Sequence, residues 1–262
     1  MTHVSDSGSD DSKRPTALVI ERIEKLALNI MNCQAEEEHV WYKHLLLGIL
    51  NSALLDYRYV ESGVKHKSAY LAAWSCRNLL ELNVITVYIL ESAKNATDFK
   101  SDFVVDVKEF YEAISKTHKT GHKKLISMWK EVNECMEEPM KEAMEAALQR
   151  EIQNGPQSQT TDDEAEAYTQ VMIDFGIDPK LRPKQSRDIA KLVSRSEEFQ
   201  PMFKVCSKIM HRTAFSIASS VMKGSLDATL TWLESTAFME LFSIGELIGE
   251  HYKRNGVASP TN

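Results

Sequence analysis

Apolar residues along this chain recur every three or four positions, the spacing that lines one face of an α-helix. From Thr16 to about Glu61 the series Val19, Ile23, Leu26 and Ile30, then Leu45, Leu46, Ile49 and Leu50, keeps that spacing. The run Glu36-Glu37-Glu38 interrupts it, which predicts either one long helix or a close pair. Gly63 is expected to end this segment and Ser68 to cap the next helix, Tyr70 to about Ser92. A helix over Asp102 to about Thr117 carries Val104, Val107, Phe110, Tyr111 and Ile114 on its apolar side. Another pattern runs through Leu125, Met128, Trp129, Val132 and Met136 to Met144, Leu148 and Ile152, with a kink expected near Pro139. The segment Asn154 to Glu166 reads as a loop, and a short helix ends at Phe175-Gly176. An irregular stretch, IDPKLRPK, then leads to Ser186 as the cap of a further helix. Two long helices, about Glu197–Lys223 and Leu226–Arg254, close the chain. No stretch alternates apolar and polar residues for long, and no internal repeat is evident. The predicted fold class is therefore all-α: a single helical bundle of about seven to nine helices around a central apolar helix, Tyr70–Leu90. Residues 1–15 are expected to form a disordered tail, 16–254 one helical domain, and 255–262 a flexible tail.

The Tyr70–Leu90 segment is apolar nearly all round, yet it carries Arg77 and Glu81. At about 100° per residue, Tyr70, Trp74, Arg77, Glu81 and Tyr88 project within about 60° of one another. Leu71, Leu79, Leu80, Leu82, Val87 and Leu90 cover most of the remainder. Such a helix presents one aromatic and charged stripe, which serves as a binding site, a catalytic site, or an ion pair that fixes helix register. A membrane span is disfavoured, because Arg77, Asn78, Glu81 and Asn83 in its middle would cost on the order of several kcal/mol in hydrocarbon.

Composition narrows the partners. Ten Gly and seven Pro in 262 residues leave few turn signals, in keeping with long helices. A formal net charge of −7 argues against a general nucleic-acid coat or an anionic membrane surface as partner, while leaving room for a local basic patch. The N-terminus is rich in Ser and Asp and lacks the apolar centre of a signal peptide. Cys33, Cys76, Cys135 and Cys206 show no paired spacing, so they read as reduced core residues of a cytoplasmic protein.

A second polar stripe lies in the Glu197–Lys223 segment. Met202, Val205, Cys206, Ile209, Met210 and Ile217 fill an apolar arc, while Lys204, Lys208, His211 and Phe215 gather on the opposite side with Ser207 beside them. If the two stripes meet, Glu81 would hold His211 protonated or in one tautomer, and Arg77 would sit near Lys208 in a pocket for an anion. Lysines on an amphipathic helix otherwise form a solvated face.

The pairing of CRNLLELNVITVYIL (Cys76 to Leu90) with FKVCSKIMHRTAFSIAS (Phe203 to Ser219) resembles a group of uncharacterised bacterial helical domains. In that group an early helix carries Arg-x-x-x-Glu, matched here by Arg77 and Glu81, and a late helix carries Ser-x-x-x-His, matched by Ser207 and His211. The group is similar in outline to the HEPN superfamily, helical proteins of toxin, antiphage and RNA-processing systems whose active members are metal-independent ribonucleases. That resemblance implies Arg four to six residues before His on one helix. This chain departs from the pattern, so a nuclease reading combines Arg77 with His211 from separate helices. His211 would then act as general base or acid on a ribose hydroxyl, and Arg77 or Lys208 would stabilise charge on phosphate.

Other motifs carry less. Glu36-x-x-His39 has the spacing of a di-metal ligand pair but lacks the second copy such sites need, and it reads as a solvated acidic stretch with Glu37, Glu38, Lys43 and His44. His118 and His122 flank Gly121 in a turn-like context. Trp41, Trp129, Trp232, Met128, Met172 and Met239 are expected as core filler. There is no phosphate-cradling Gly loop, Gly-x-Ser-x-Gly elbow or His-Glu-x-x-His, and no metal or cofactor is expected.

The residues thus point to a ligand-binding or protein-interaction module, with Arg77, Glu81, Ser207, Lys208, His211, Trp74 and Tyr88 as its binding set. The expected partners are RNA, a small anion or a protein, in a bacterial defence or stress system. The alternatives are a ribonuclease with His211 and Arg77 as its catalytic pair, and a scaffold braced by a buried ion pair. A homodimer would use the closing helix, with Leu226, Leu230, Leu233, Phe238, Leu241, Phe242 and Ile248.

Overall fold

The computed structural model describes residues 15–36, 39–103, 182–211 and 225–258, together with 105–106, 108–110, 112–113, 116–117, 166, 169–170 and 173. All regular structure among the described residues is helical, in agreement with the all-α reading. The chain divides into two compact units, Met1–Ala96 with Gln185–Asn262, and Thr97–Lys184.

Six helices of the first unit are described: α1 Pro15–Asn32, α2 Val40–Lys65, α3 Ala69–Glu91, α4 Ser186–Leu192, α5 Ser196–Met210 and α6 Ser225–Asn255. The N-terminal periodic segment is a helix pair, α1 ending at Asn32 and α2 starting at Val40. α3 packs against α2, α4, α5 and α6, while α1 packs on α2 and α6. In α6 the fully buried residues Leu233, Ala237, Leu241, Ile244 and Ile248 keep the spacing of one helical face. α6 packs on α2 and α3, whose own fully buried residues include Leu46, Leu50, Ala53 and Val60 of α2 and Ala72, Ala73, Leu79 and Ile89 of α3. Each such large side chain contributes about 1.5 to 3 kcal/mol when removed from water.

The α2–α3 junction corrects one expectation. Gly63 does not end α2; it is a buried residue within it, and a Cβ there would stand 2.7 Å from the Ala72 backbone nitrogen. Glycine is needed for close helix approach rather than for termination. The turn is made instead by Lys67 at φ 53°. Ser68 N–H donates to the Gly63 carbonyl at 2.7 Å and Lys67 N–H to the Val64 carbonyl at 3.1 Å, the paired bonds of a Schellman end. Ser68 caps α3 as expected, accepting from Leu71 N–H at 3.3 Å. A second turn of the same kind joins α4 to α5, with Ser194 at φ 55° and Arg195 N–H donating to the Ala190 carbonyl at 2.8 Å.

Further expectations are revised. α5 ends at Met210 rather than continuing to Lys223, and His211 turns to an extended backbone at φ −78°, ψ 137°. Trp232 and Met239 are not core filler: they lie on the outer face of α6, Met239 at 61% exposure, because the core-facing stripe is already filled. Of the residues assigned to a self-association face, Leu230, Leu233, Leu241 and Ile248 are interior, and Phe238 meets Tyr57 edge-on at 6.4 Å. Beyond α6, Val257 is buried and the Ala258 carbonyl accepts from His251 Nε2 at 3.0 Å.

In the second unit, residues 97–103 are helical, so Asp102 lies inside a helix rather than at its start. Lys184 holds Asp102, its backbone N–H 3.3 Å and its Nζ 3.8 Å from Oδ2. Phe110, expected on the apolar side, is exposed. The kink near Pro139, the loop at 154–165, the helix end at Phe175-Gly176, the His118/His122 pair, Cys135, Trp129, Met128 and Met172 lie outside the described residues, as do Glu37, Glu38, Phe215 and Ile217.

Candidate functional site

The α3 stripe does not stay together. Tyr88 is 2% exposed and belongs to the core. Tyr70 and Trp74 are exposed and pair with each other, ring centroids 6.1 Å apart. Arg77 and Glu81, one turn apart on the same face, bond through Nε and Oε1 at 2.9 Å. Their side chains keep 27% and 28% exposure, so this is a pair at the protein–water boundary and not one sealed in a dry core.

Two neighbours fix Arg77. Glu81 Oε2 accepts from Ser186 Oγ at 3.1 Å, which anchors the carboxylate to α4. Ser186 is accordingly not the cap expected of it; Gln185 occupies the N-cap position, and the Ser186 hydroxyl serves Glu81. The Arg77 guanidinium lies 4.2 Å from the centroid of the Phe203 ring of α5, a cation–π contact of about 1 kcal/mol or more when partly desolvated. The Arg187 guanidinium stands 6.0 Å from the same ring. Held on two sides, Arg77 loses little further side-chain entropy when it engages a ligand.

These contacts form the wall of an open groove of about 950 Å³, lined by Arg77, Arg187, Ser196, Glu197, Gln200, Pro201, Phe203, Lys204, Ser207 and His211. Ser196, Gln200, Phe203, Lys204 and Ser207 share one face of α5 by their three- and four-residue spacing, and His211 sits at the end of that face. Arg77, Ser207 and His211 therefore line one groove. Glu81 stands behind it on Arg77 and Ser186, rather than on His211. Lys208 is exposed and does not line the groove; Lys204, one turn earlier, does.

The groove is cationic. Arg187 and Lys204 have no ion pair among the described residues, against the single groove carboxylate Glu197. The Ser207 hydroxyl oxygen is buried with no hydrogen-bond partner. Charged donors of this kind each add about 1.5 to 3 kcal/mol to a hydrogen bond with an anion once water is excluded.

Three features around this groove go beyond the sequence reading. Phe203 is a partner of Arg77, and Arg187 lines the same groove, only because α4 and α5 pack beside α3, which residue order does not reveal. Cys76 of α3 and Cys206 of α5 are both fully buried, and the Cys206 thiol together with burial pushes the Cys76 thiol well above its ordinary range. The third is a polar lock in which Asn83 Nδ2 donates to Glu240 Oε2 and Asn83 Oδ1 accepts from Arg195 Nη1 at 3.2 Å.

No protein-family model, no curated protein and no solved structure matches this chain. No helix among the described residues is long and apolar enough to cross a membrane. Among the same residues there is no group of three or more His, Cys, Asp or Glu side chains placed to hold a metal ion.

Proposed function

We propose that this protein is a helical ligand-binding module whose α3–α5 groove takes an anionic ligand. The observation that carries the reading is the convergence of Arg77, Arg187, Lys204 and His211 on one groove, with Arg77 pre-positioned by Glu81 and Phe203. An overall acidic protein that concentrates cationic side chains in one concavity focuses its field there and draws in anions that the rest of the surface repels. Titrating the full chain with inorganic phosphate and with a short oligoribonucleotide by calorimetry tests this. Binding is expected, weakened about tenfold or more by Arg77→Ala with the helical circular dichroism unchanged. Binding that ignores Arg77→Ala, or none with either probe, rejects the reading.

A second reading rests on His211 lining the same groove as Arg77. As in the HEPN superfamily that the chain resembles, the protein would be a metal-independent ribonuclease, with His211 moving a proton at a ribose hydroxyl or leaving oxygen and Arg77 stabilising charge on the phosphate. RNA cleavage in the presence of a chelator, abolished by His211→Ala, is its signature. An intact set of varied RNAs after prolonged incubation removes it.

A further inference from the structure

The long helix α6 turns an uncharged face to solvent. Its exposed residues between Asp227 and Glu250 are Ala228, Thr231, Trp232, Ser235, Met239 and Phe242, and none carries a charge. A solvated helix face ordinarily carries charged side chains along its length. Trp232, Ser235, Met239, Phe242, Glu246 and Gly249 follow one another at steps of three and four residues, the seam spacing of paired helices. The charges of α6 stand at its two ends, Asp227 at the start and Lys253 and Arg254 at the close.

The C-terminal half of this seam borders a second groove. It lies between α1 and α6, has a volume of about 290 Å³, and is lined by Val19, Leu26, Phe242, Gly245, Glu246 and Gly249 among others. The Arg22–Glu246 ion pair, 2.7 Å long, is part of its wall. The two glycines differ. A Cβ on Gly245 would stand 2.8 Å from Ile23, so this glycine serves the α1 contact. A Cβ on Gly249 would come no nearer than 3.7 Å to Leu26, so here the missing side chain leaves room.

We propose that two copies of this chain associate through α6 laid antiparallel on α6 along its whole length, with Trp232 of each copy entering the α1–α6 groove of the other. Centring the two helices on one another fixes the register. Trp232 then faces Gly249 of the partner subunit, Met239 faces the partner's Phe242, and Ser235 faces the partner's Glu246. A large side chain meets a missing one, a thioether meets an aromatic ring, and a hydroxyl meets a carboxylate. At each end Asp227 faces the partner's Lys253 and the partner's Arg254. Parallel pairing would instead stack Glu246 on Glu246 and Arg254 on Arg254. The ion pairs that these ends make within one chain, Asp227 with Lys67 at 3.2 Å and Arg254 with Glu250 at 3.7 Å, are solvent-exposed and give way at little cost. Trp232, Met239 and Phe242 leave about 300 Å² of side chain open on each copy, and with the flanking small and charged residues the pair buries about 1,000 Å² or more, which a specific interface requires. This proposal stands independently of what occupies the α3–α5 groove.

Analytical ultracentrifugation of the full chain at tens of micromolar tests the association. The expected mass is twice the 29.7 kDa of one chain. Met239→Glu should return the protein to the mass of one chain with its helical circular dichroism unchanged, because Met239 is exposed in the single copy. Gly249→Leu should weaken association about tenfold by filling the place of the indole. Carbodiimide coupling, which joins a carboxylate to an amine at contact distance, reads the register. Asp227 and Lys253 lie about 39 Å apart along one helix, so a link between them joins two chains. That link is expected in a dimer-sized product and is lost in Met239→Glu. A mass of one chain at this concentration, a dimer that survives Met239→Glu, or a dimer coupled without the 227–253 link overturns the proposal. The wild-type mass and the wild-type link decide the matter even if a variant fails to fold.

Discussion

α3 carries two polar constellations six residues apart, and they face different worlds. Arg77 and Glu81 sit about a quarter exposed on the groove side, braced by Phe203 and Ser186. Asn83, about 120° around the helix, is 2% exposed and is bonded to both Glu240 of α6 and Arg195 at the entry to α5. Both constellations combine an arginine, a carboxylate and a neutral polar partner. What separates them is the centre: Asn83 is buried, whereas no member of the first set is. The first can exchange a solvent contact for a ligand, whereas the second has each polar group already committed, and so works as a lock on helix placement.

The largest expected effect comes from opening the lock. Asn83→Leu leaves Glu240 without its amide donor and Arg195 without its acceptor, and should lower unfolding stability by about 2 to 4 kcal/mol in urea titrations. Phosphate binding by the surviving folded fraction should be unchanged; a variant of wild-type stability would erase the distinction between the two constellations. Gly63→Ala comes next. It presses a Cβ against the Ala72 backbone and moves α3 against α2 without touching either constellation, at an expected cost of about 1 to 3 kcal/mol by thermal unfolding. If it also weakens binding, the groove depends on where α3 sits and not only on its own side chains.

Arg77→Ala should behave in the opposite way to Asn83→Leu. It is expected to cost about 1.4 kcal/mol or more in anion affinity, but only about 1 to 2 kcal/mol in stability, since a helical ion pair of this spacing contributes little and the Phe203 contact about 1 kcal/mol. Joint replacement by Arg77→Met and Glu81→Leu should likewise keep the fold and lose the ligand. Retained binding in that double variant would return the pair to a scaffold role.

The smallest effect is in pH dependence. Burial raises the Glu240 carboxyl above its ordinary 4.5, opposed by the Asn83 bond and the Arg195 charge. The folded chain therefore holds this proton more tightly than the unfolded one. The resulting stability is fully present below about pH 4.5 and is lost as pH rises through the raised folded value. Glu240→Gln should flatten that part of the stability–pH curve, as followed by urea midpoints from pH 4 upward. An unaltered curve would show that Glu240 reaches water more freely than its neighbours imply.

His251 offers a contrast of opposite sign. Its Nε2–H donates to the Ala258 carbonyl and its Nδ1 accepts from Asn255, an arrangement for the neutral ring, and burial lowers its affinity for a proton. Its contribution is present above the ordinary value of 6.5 and is lost as pH falls below it.

Much of this architecture was legible from residue order alone. Three- and four-residue apolar spacing marked α1, α2, α3 and α6, since a helix buries one stripe and its sequence must carry that stripe. Ser68 announced the start of α3, and the charges in an otherwise apolar segment singled out Arg77 and Glu81. Ends and partners were another matter. Gly63 looked like a terminator because glycine favours helix ends, yet its missing Cβ serves contact with Ala72. Ser186 looked like a cap because serine favours that position, yet its hydroxyl is taken by Glu81 across a helix interface. Tyr88 shared a helical stripe with Arg77 and still went to the core, because a stripe that long passes beneath more than one neighbour. Periodicity is a local property, written residue by residue, and it determined that this chain is helical and which helix faces are apolar. Whether Arg77 faces a groove and Asn83 a lock is decided by which helix packs against which, a choice made by the whole core at once.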